Sequence, residues 1–198
     1  SNDRYETCMR LACIGNAIDY TKAKTEEELY RIVQELMVRK FSVSNLYACS
    51  LVLKKATTIF YLLDQSGEIV FDKLLIKYLL QMGKKVSIGV GEKSFFLRAS
   101  FDDVLQVGLG EIATLTTPLK DNVGICLNSC GDKFRYYYDH ADLVISKGQN
   151  NFLCLNQANK NIAFLFCVKC HALEKNYKMK KRDLVLKMHY EDKKRTNS

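Results

Sequence analysis

Apolar positions along the chain change period near residue 56, and that change organises the reading. From 5 to about 20, Met9, Ala12, Cys13, Asn16 and Ala17 recur at helical spacing, and Leu11, Ile14 and Ile18 widen the face into a buried helix. Thr25 with Glu28 three residues on is a capping-box start, and Leu29, Ile32, Val33, Leu36 and Met37 supply the stripe of a second helix. Residues 44–55 read as a third, so the first third of the chain is expected to be all helix. After Ala56 the run TTIFYLL (57–63) is continuously β-branched, aromatic and aliphatic, as in a strand covered on both faces. Gln65-Ser-Gly67 turns the chain, 68–82 is helical and Gly83 closes it. Strands are expected at 85–90, 112–115, 141–146, 162–168 and 183–189, with helices at 100–107, stopped by Gly108, and at 127–138.

Alternation of strand and helix predicts an α/β fold of three layers, a mainly parallel sheet with helices on both faces, preceded by an N-terminal helical segment. The expected organisation is one domain. Residues 1–56 form the helical segment packed on it, 57–190 the α/β core and 191–198 a basic tail.

Composition narrows the function classes. Hydrophobic residues at 47% and charged residues at 26% are globular values, and no apolar run approaches the roughly 18 residues a membrane span needs. The first residues carry no apolar stretch of a signal-peptide kind, so a cytoplasmic protein with no membrane contact is expected. The net charge of +8 gathers in KMKKR (178–182) and KKR (193–195), with no interleaved aromatic stacking platform, which argues against nucleic-acid binding. Eight cysteines fall largely in apolar runs, so reduced thiols are expected and no disulfide. Cys167 and Cys170 with His171, and Cys126 with Cys130, have zinc-like spacing. Cys167 however ends a core strand, and structural zinc is not expected there.

In open parallel sheets ligands sit beyond the carboxyl ends of the strands. Asp64 stands at such an end, where it could hold a metal or simply cap the following helix. Asp102 and Asp103 open another helix and carry the same ambiguity, while Lys147 followed by Gly148 could meet a phosphate. The carboxylates of Asp64 and Asp103 are expected to converge at the carboxyl edge.

Taken together, YLLDQSGEIVFD (61–72) resembles the DNxGEIVFD motif of the damage-control phosphatases, and ADLVISKGQ (141–149) resembles their ADLVIxKGQ. RLACIGNAID (10–19) and VKC (168–170) are similar to further family segments, RLAxxGNxID and VKC. The resemblance implies a metal-dependent phosphatase that hydrolyses phosphomonoesters of small metabolites, sugar phosphates or damaged phospho-metabolites, by a metal-activated water. It implies Asp64, Gln65 and Asp103 as ligands of a divalent cation (Mg²⁺, Mn²⁺, Co²⁺ or Ni²⁺) and Asp64 and Lys147 as catalytic residues. Asn16, Glu68, Lys147 and Asn151 would bind the phosphorylated substrate. The chain departs from the family pattern at Gln65, where asparagine is expected, at Leu97 and Arg98, where Asn-Asp is expected, and at Leu153, where an acid is expected. These departures set out the alternative, a degenerate relative that binds a phosphorylated ligand or a protein partner without turnover.

Overall fold

A computed structural model describes residues 2–20, 25–92, 97–118 and 124–192. Its helices are α1 (Asn2–Gly15), α2 (Glu26–Met37), α3 (Leu46–Lys55), α4 (Ile69–Gln81), α5 (Phe101–Gln106), α6 (Asp132–His140), α7 (Gln149–Leu155) and α8 (His171–Tyr177). Its strands are β1 (Val43–Ser44), β2 (Thr58–Leu62), β3 (Lys85–Gly89), β4 (Thr114–Thr116), β5 (Leu143–Lys147), β6 (Ile162–Cys167) and β7 (Leu184–His189). They form one sheet in the order β1-β7-β6-β5-β2-β3-β4. Neighbours run parallel except β6 and β7.

Pleating sends alternate residues of each strand to opposite faces, and both faces are covered. Ile59 and Tyr61 of β2, with Ala163 and Leu165 of β6, join the core under α1, α3, α4 and α5, where Met9, Leu53, Ile76 and Val104 meet them. Phe60 and Leu62, with Phe164 and Phe166, face the other way and pack on Phe134 of α6, Phe152 of α7 and Leu173 of α8. Each such side chain, wholly buried, contributes about 1.5–3 kcal/mol. The three-layer arrangement read from the sequence is the one observed.

Several elements differ in detail. The Thr25 capping box forms, with Glu28 N–H on the Thr25 hydroxyl at 3.2 Å and Thr25 N–H on the Glu28 carboxylate at 3.3 Å. The first third is not all helix, because Val43 and Ser44 add an edge strand to β7, too short for a period-two pattern to register. The helix expected over 127–138 is a 3-10 turn, Leu127–Ser129, separated from α6 by Gly131 as N-cap. The strand expected at 112–115 is displaced to Thr114–Thr116, since the N–H groups of Ile112 and Ala113 turn back to the Leu109 carbonyl. Helices α7 and α8 were not expected. Among the described residues no helix is long and apolar enough to cross a membrane. The basic run 193–195, and residues 193–198 of the expected tail, lie outside the described residues.

Candidate active site

From β2 the chain moves outward to β3 and β4, then returns to the opposite side of β2 as β5. The sheet therefore reverses direction of growth between β2 and β5, and the crevice at such a point lies beyond the strand ends. Leu62 pairs with Ser146 in register, which sets Asp64, two residues past Leu62, against Lys147, one residue past Ser146. Sequence periodicity alone could place each residue at a strand end. The strand order brings the two together.

Asp64 is 5% exposed. Its Oδ2 accepts a hydrogen bond from Asn16 Nδ2 at 3.1 Å, and Asn16 Oδ1 in turn accepts from the Cys167 backbone N–H at 3.1 Å. Asn16, just beyond α1, thus ties that helix to the ends of β2 and β6. Gly148 follows Lys147 with φ of +81°, where an L side chain is strained, and a Cβ there would lie 1.9 Å from Asp64 Oδ2. Glycine is required for the backbone angle and for the space Asp64 occupies.

Lys147 is wholly buried and held by two acids on one helical face, Glu68 and Asp72, four residues apart. Its Nζ donates to Asp72 Oδ1 at 2.7 Å and lies 3.1 Å from Glu68 Oε2, the latter an ion pair without hydrogen-bond alignment. Tyr61 also donates to Asp72 Oδ1 at 2.7 Å, and Asp72 Oδ2 has no hydrogen-bond partner. The Gln65 N–H donates to Glu68 Oε1 at 3.0 Å. Burial would lower the lysine, but Asp72 and Glu68 outweigh it and hold the ammonium charged. Burial pushes Asp72 up and Glu68 adds to that, against the pull of Lys147 and Tyr61. Burial and the Glu68 charge likewise push Asp64 up, and Arg98, Lys147 and the Asn16 hydrogen bond offset this in part.

Residues 97–100 run beside 64–66. Ala99 N–H donates to the Asp64 carbonyl at 2.8 Å, Ser66 N–H to the Leu97 carbonyl at 2.9 Å, and Gln65 and Arg98 form an antiparallel bridge. This strip carries Asp103 toward the site. Asp103 Oδ2 accepts from the Ser100 N–H at 2.8 Å and hydroxyl at 2.7 Å in a capping box at the start of α5, so its helix-capping role is realised. Burial acts to raise its carboxyl, but hydrogen bonds from Ser100 and the Ser66 hydroxyl outweigh it and hold Asp103 below the ordinary carboxylate range. Gln65, not Asp64, caps the turn Ser66–Glu68, and Gln65 Oε1 accepts from Lys169 Nζ at 3.3 Å. Asn151 is buried on α7, its amide spent on the carbonyls of Leu63 and Lys147 and on the Ile125 N–H.

Asp64, Asn16, Glu68 and Lys147 therefore form one buried cluster. Gln65 and Asp103 stand beside it, and Asn151 braces the strand ends from behind. Asp72 and Tyr61 were missed by sequence reasoning, although the spacing of Glu68 and Asp72 on a helix that opens at the strand end was a usable signal. Among the described residues no three His, Cys, Asp or Glu side chains converge as a metal cluster. All eight cysteines are free thiols. A cavity of about 1130 Å³ opens at the amino edge of the sheet around Thr58 and Lys85 and contains none of these residues. A smaller one of about 480 Å³, lined by Gln65, Ser66, Gly67 and Cys167, adjoins them.

A crystal structure of a DUF89 family protein from Pyrococcus horikoshii superposes with a TM-score of 0.88 at 29% identity, over 93% of this chain and 65% of that one. A Pyrococcus horikoshii protein named as a damage-control phosphatase is 30% identical over 91% of this chain and 64% of its own length. One of the same description from Archaeoglobus fulgidus is 29% identical over 95% of this chain and 66% of its own. The chain thus spans about two thirds of the length of these relatives. The model of the damage-control phosphatase ARMT1-like domain matches residues 1–185, and the chain belongs to that family.

Proposed function

We propose that the protein is a metal-dependent phosphatase acting on phosphomonoesters of small metabolites. The observation that carries this reading is the meeting of Asp64 and Lys147 at the switch point between β2 and β5, with Asn16 and Glu68 in the same cluster. A divalent cation would be held by Asp64, Gln65 and Asp103. The set fits a hard cation in its chemistry, two carboxylates and an amide oxygen with no sulfur or imidazole. When bound, the cation supplies charge to neutralise phosphoryl oxygens and acidifies a water.

The chain's own groups have distinct parts. Lys147 stays positively charged between Glu68 and Asp72, and its charge would stabilise a phosphoryl transition state in which negative charge is spread. Asn16 fixes the Asp64 carboxylate by one oxygen and leaves the other for a ligand. Release of inorganic phosphate from a panel of phosphomonoesters, with and without EDTA, tests the reading. Activity that survives both EDTA and Asp64→Ala would refute it.

One observation favours a second reading, a binding protein without turnover. Arg98, at a position where the family pattern has an acid or amide, stands on the strip beside Gln65, and its charge acts on the Asp64 carboxyl. A guanidinium there would take part of the role of a metal. Absence of phosphate release by the wild type together with release by Arg98→Asp would support it.

A further inference from the structure

The cavity of about 480 Å³ beside Asp64 has the size of a small-molecule site, and its two walls differ in charge. One wall is backbone and neutral side chains, Gln65, Ser66 and Gly67, with Tyr20 packed so closely that a Cβ on Gly67 would meet its ring at 2.7 Å. The other wall carries Lys169, Lys181 and Arg182, against a single lining acid, Asp19. These residues come from two places. Lys169 follows β6, while Lys181 and Arg182 precede β7, and the antiparallel pairing of those strands sets them side by side.

Lys169, Lys181 and Arg182 are exposed at this wall, and three features hold their charge at the cavity. Arg182 adopts φ of +70°, a conformation costly for a side chain of its size, and its backbone is pinned there by its N–H on the Val168 carbonyl at 2.8 Å. Lys169, although exposed, places its Nζ on Gln65 Oε1 at 3.3 Å, on the residue after Asp64. Opposing acids are few: Glu174 receives the Lys181 backbone N–H and Asp183 that of Lys180, yet the described ion pairs include none to Lys169, Lys181 or Arg182. Burial raises the Cys167 thiol, which also lines the cavity, and the charges of Lys169, Arg39 and Arg182 offset this in part against Asp183.

We propose that this cavity selects substrates with a second anionic group, held against Lys169, Lys181 and Arg182 while the scissile phosphate lies at Asp64 and Lys147. The inference rests on the phosphatase reading for the position of the scissile group, but the preference itself is a matter of binding. A site of net charge +2 by its lining residues leaves cations without partners when a singly phosphorylated ligand is bound, and a second phosphate or carboxylate supplies charge-assisted hydrogen bonds to them.

Three ligands share a phosphate at C6 and differ at C1: glucose 6-phosphate, 6-phosphogluconate with a carboxylate, and glucose 1,6-bisphosphate. Titration calorimetry on the 198-residue protein, with and without Mg²⁺, is expected to give at least about tenfold tighter binding for one or both of the doubly anionic ligands. Which of the two gains tells carboxylate from phosphate. The double variant Lys181→Ser, Arg182→Asn alters exposed side chains, and asparagine tolerates the left-handed angle, so the fold is retained. It should lose the advantage and keep glucose 6-phosphate affinity within about twofold. Equal affinity for all three ligands, no binding of any, or an advantage that survives the double variant would overturn the proposal. Phosphate release is measured on the same samples. Selective binding without hydrolysis removes the phosphatase reading and leaves the pocket, whereas hydrolysis without selectivity does the reverse.

Discussion

Replacing Lys147 by methionine exposes how the fold carries its site. Methionine has nearly the length of lysine and no charge, so the change leaves packing close to intact and strands Glu68 and Asp72, both wholly buried, without their cation. Removing one member of a buried ion pair costs about 3–5 kcal/mol. With a urea slope of about 2.5 kcal/mol/M, the unfolding midpoint should fall by about 1–2 M. The loss depends on pH, with a sign that follows from Asp72. Its carboxyl is already raised by burial, and removing Lys147 raises it further. The folded variant then binds a proton that the unfolded chain has released, so stability falls as pH rises above about 4, the unfolded value, until the folded value is passed. Urea unfolding at pH 5 and pH 8 should show the larger deficit at pH 8, and adding Asp72→Asn to the variant should recover part of it. A deficit under about 1 kcal/mol at pH 8, or an equal one at both pH values, would refute the reasoning.

Two further outcomes follow from local geometry. Gly148→Ala places a Cβ on the Asp64 carboxylate at a positive φ, so it should destabilise by roughly 2–4 kcal/mol and displace Asp64, seen as a lower melting midpoint together with loss of phosphate release, and a variant as stable and active as wild type would contradict the placement. Among the cysteines, Cys126 is exposed and its thiol is lowered chiefly by the Ser129 hydroxyl, whereas Cys13 and Cys49 are buried and raised. A disulfide-exchange reagent should therefore modify Cys126 early and the buried pair only on unfolding, and mass spectrometry showing the opposite order would sink this.

Much of the fold could be read from the chain because its strands are long apolar runs. The run 57–63 specified β2 through continuous β-branched and aromatic residues, and every residue of β6 is buried. Reading failed where elements are short or unsigned. Helix α7 begins QNN, residues that compete for the backbone, and its N-cap Gly148 makes no side-chain cap bond. β1 has two residues and exists only because β7 offers an edge, with the N–H groups of Ser42 and Asn45 reaching the Leu184 and Leu186 carbonyls. At the site, Asp64 and Lys147 were legible as strand-end residues. The pairing of Lys147 with Asp72 spans 75 positions, and no local pattern encodes it. Likewise KMKKR (178–182) has the composition of a solvated run, and only the antiparallel return of β7 turns Lys181 and Arg182 toward the cavity.

The balance of charge in the buried cluster explains why such a site is costly and why it remains useful. Three carboxylates, Asp64, Glu68 and Asp72, face one ammonium, Lys147. Lys147 is committed to the two acids on the helical face, and Tyr61 supports the second of them. Asp64 is the acid left over. The Asn16 amide and the charge of Arg98 meet only part of its need, since burial and Glu68 still push its carboxyl up. A fold selected for stability alone would place an apolar residue or a second cation at that strand end. Because the deficit is held open at Asp64, a cation or a cationic ligand group brought there recovers electrostatic energy that folding left unclaimed. On the proposed reading, that energy would help bind and polarise a phosphoryl group beside a carboxylate largely shielded from water.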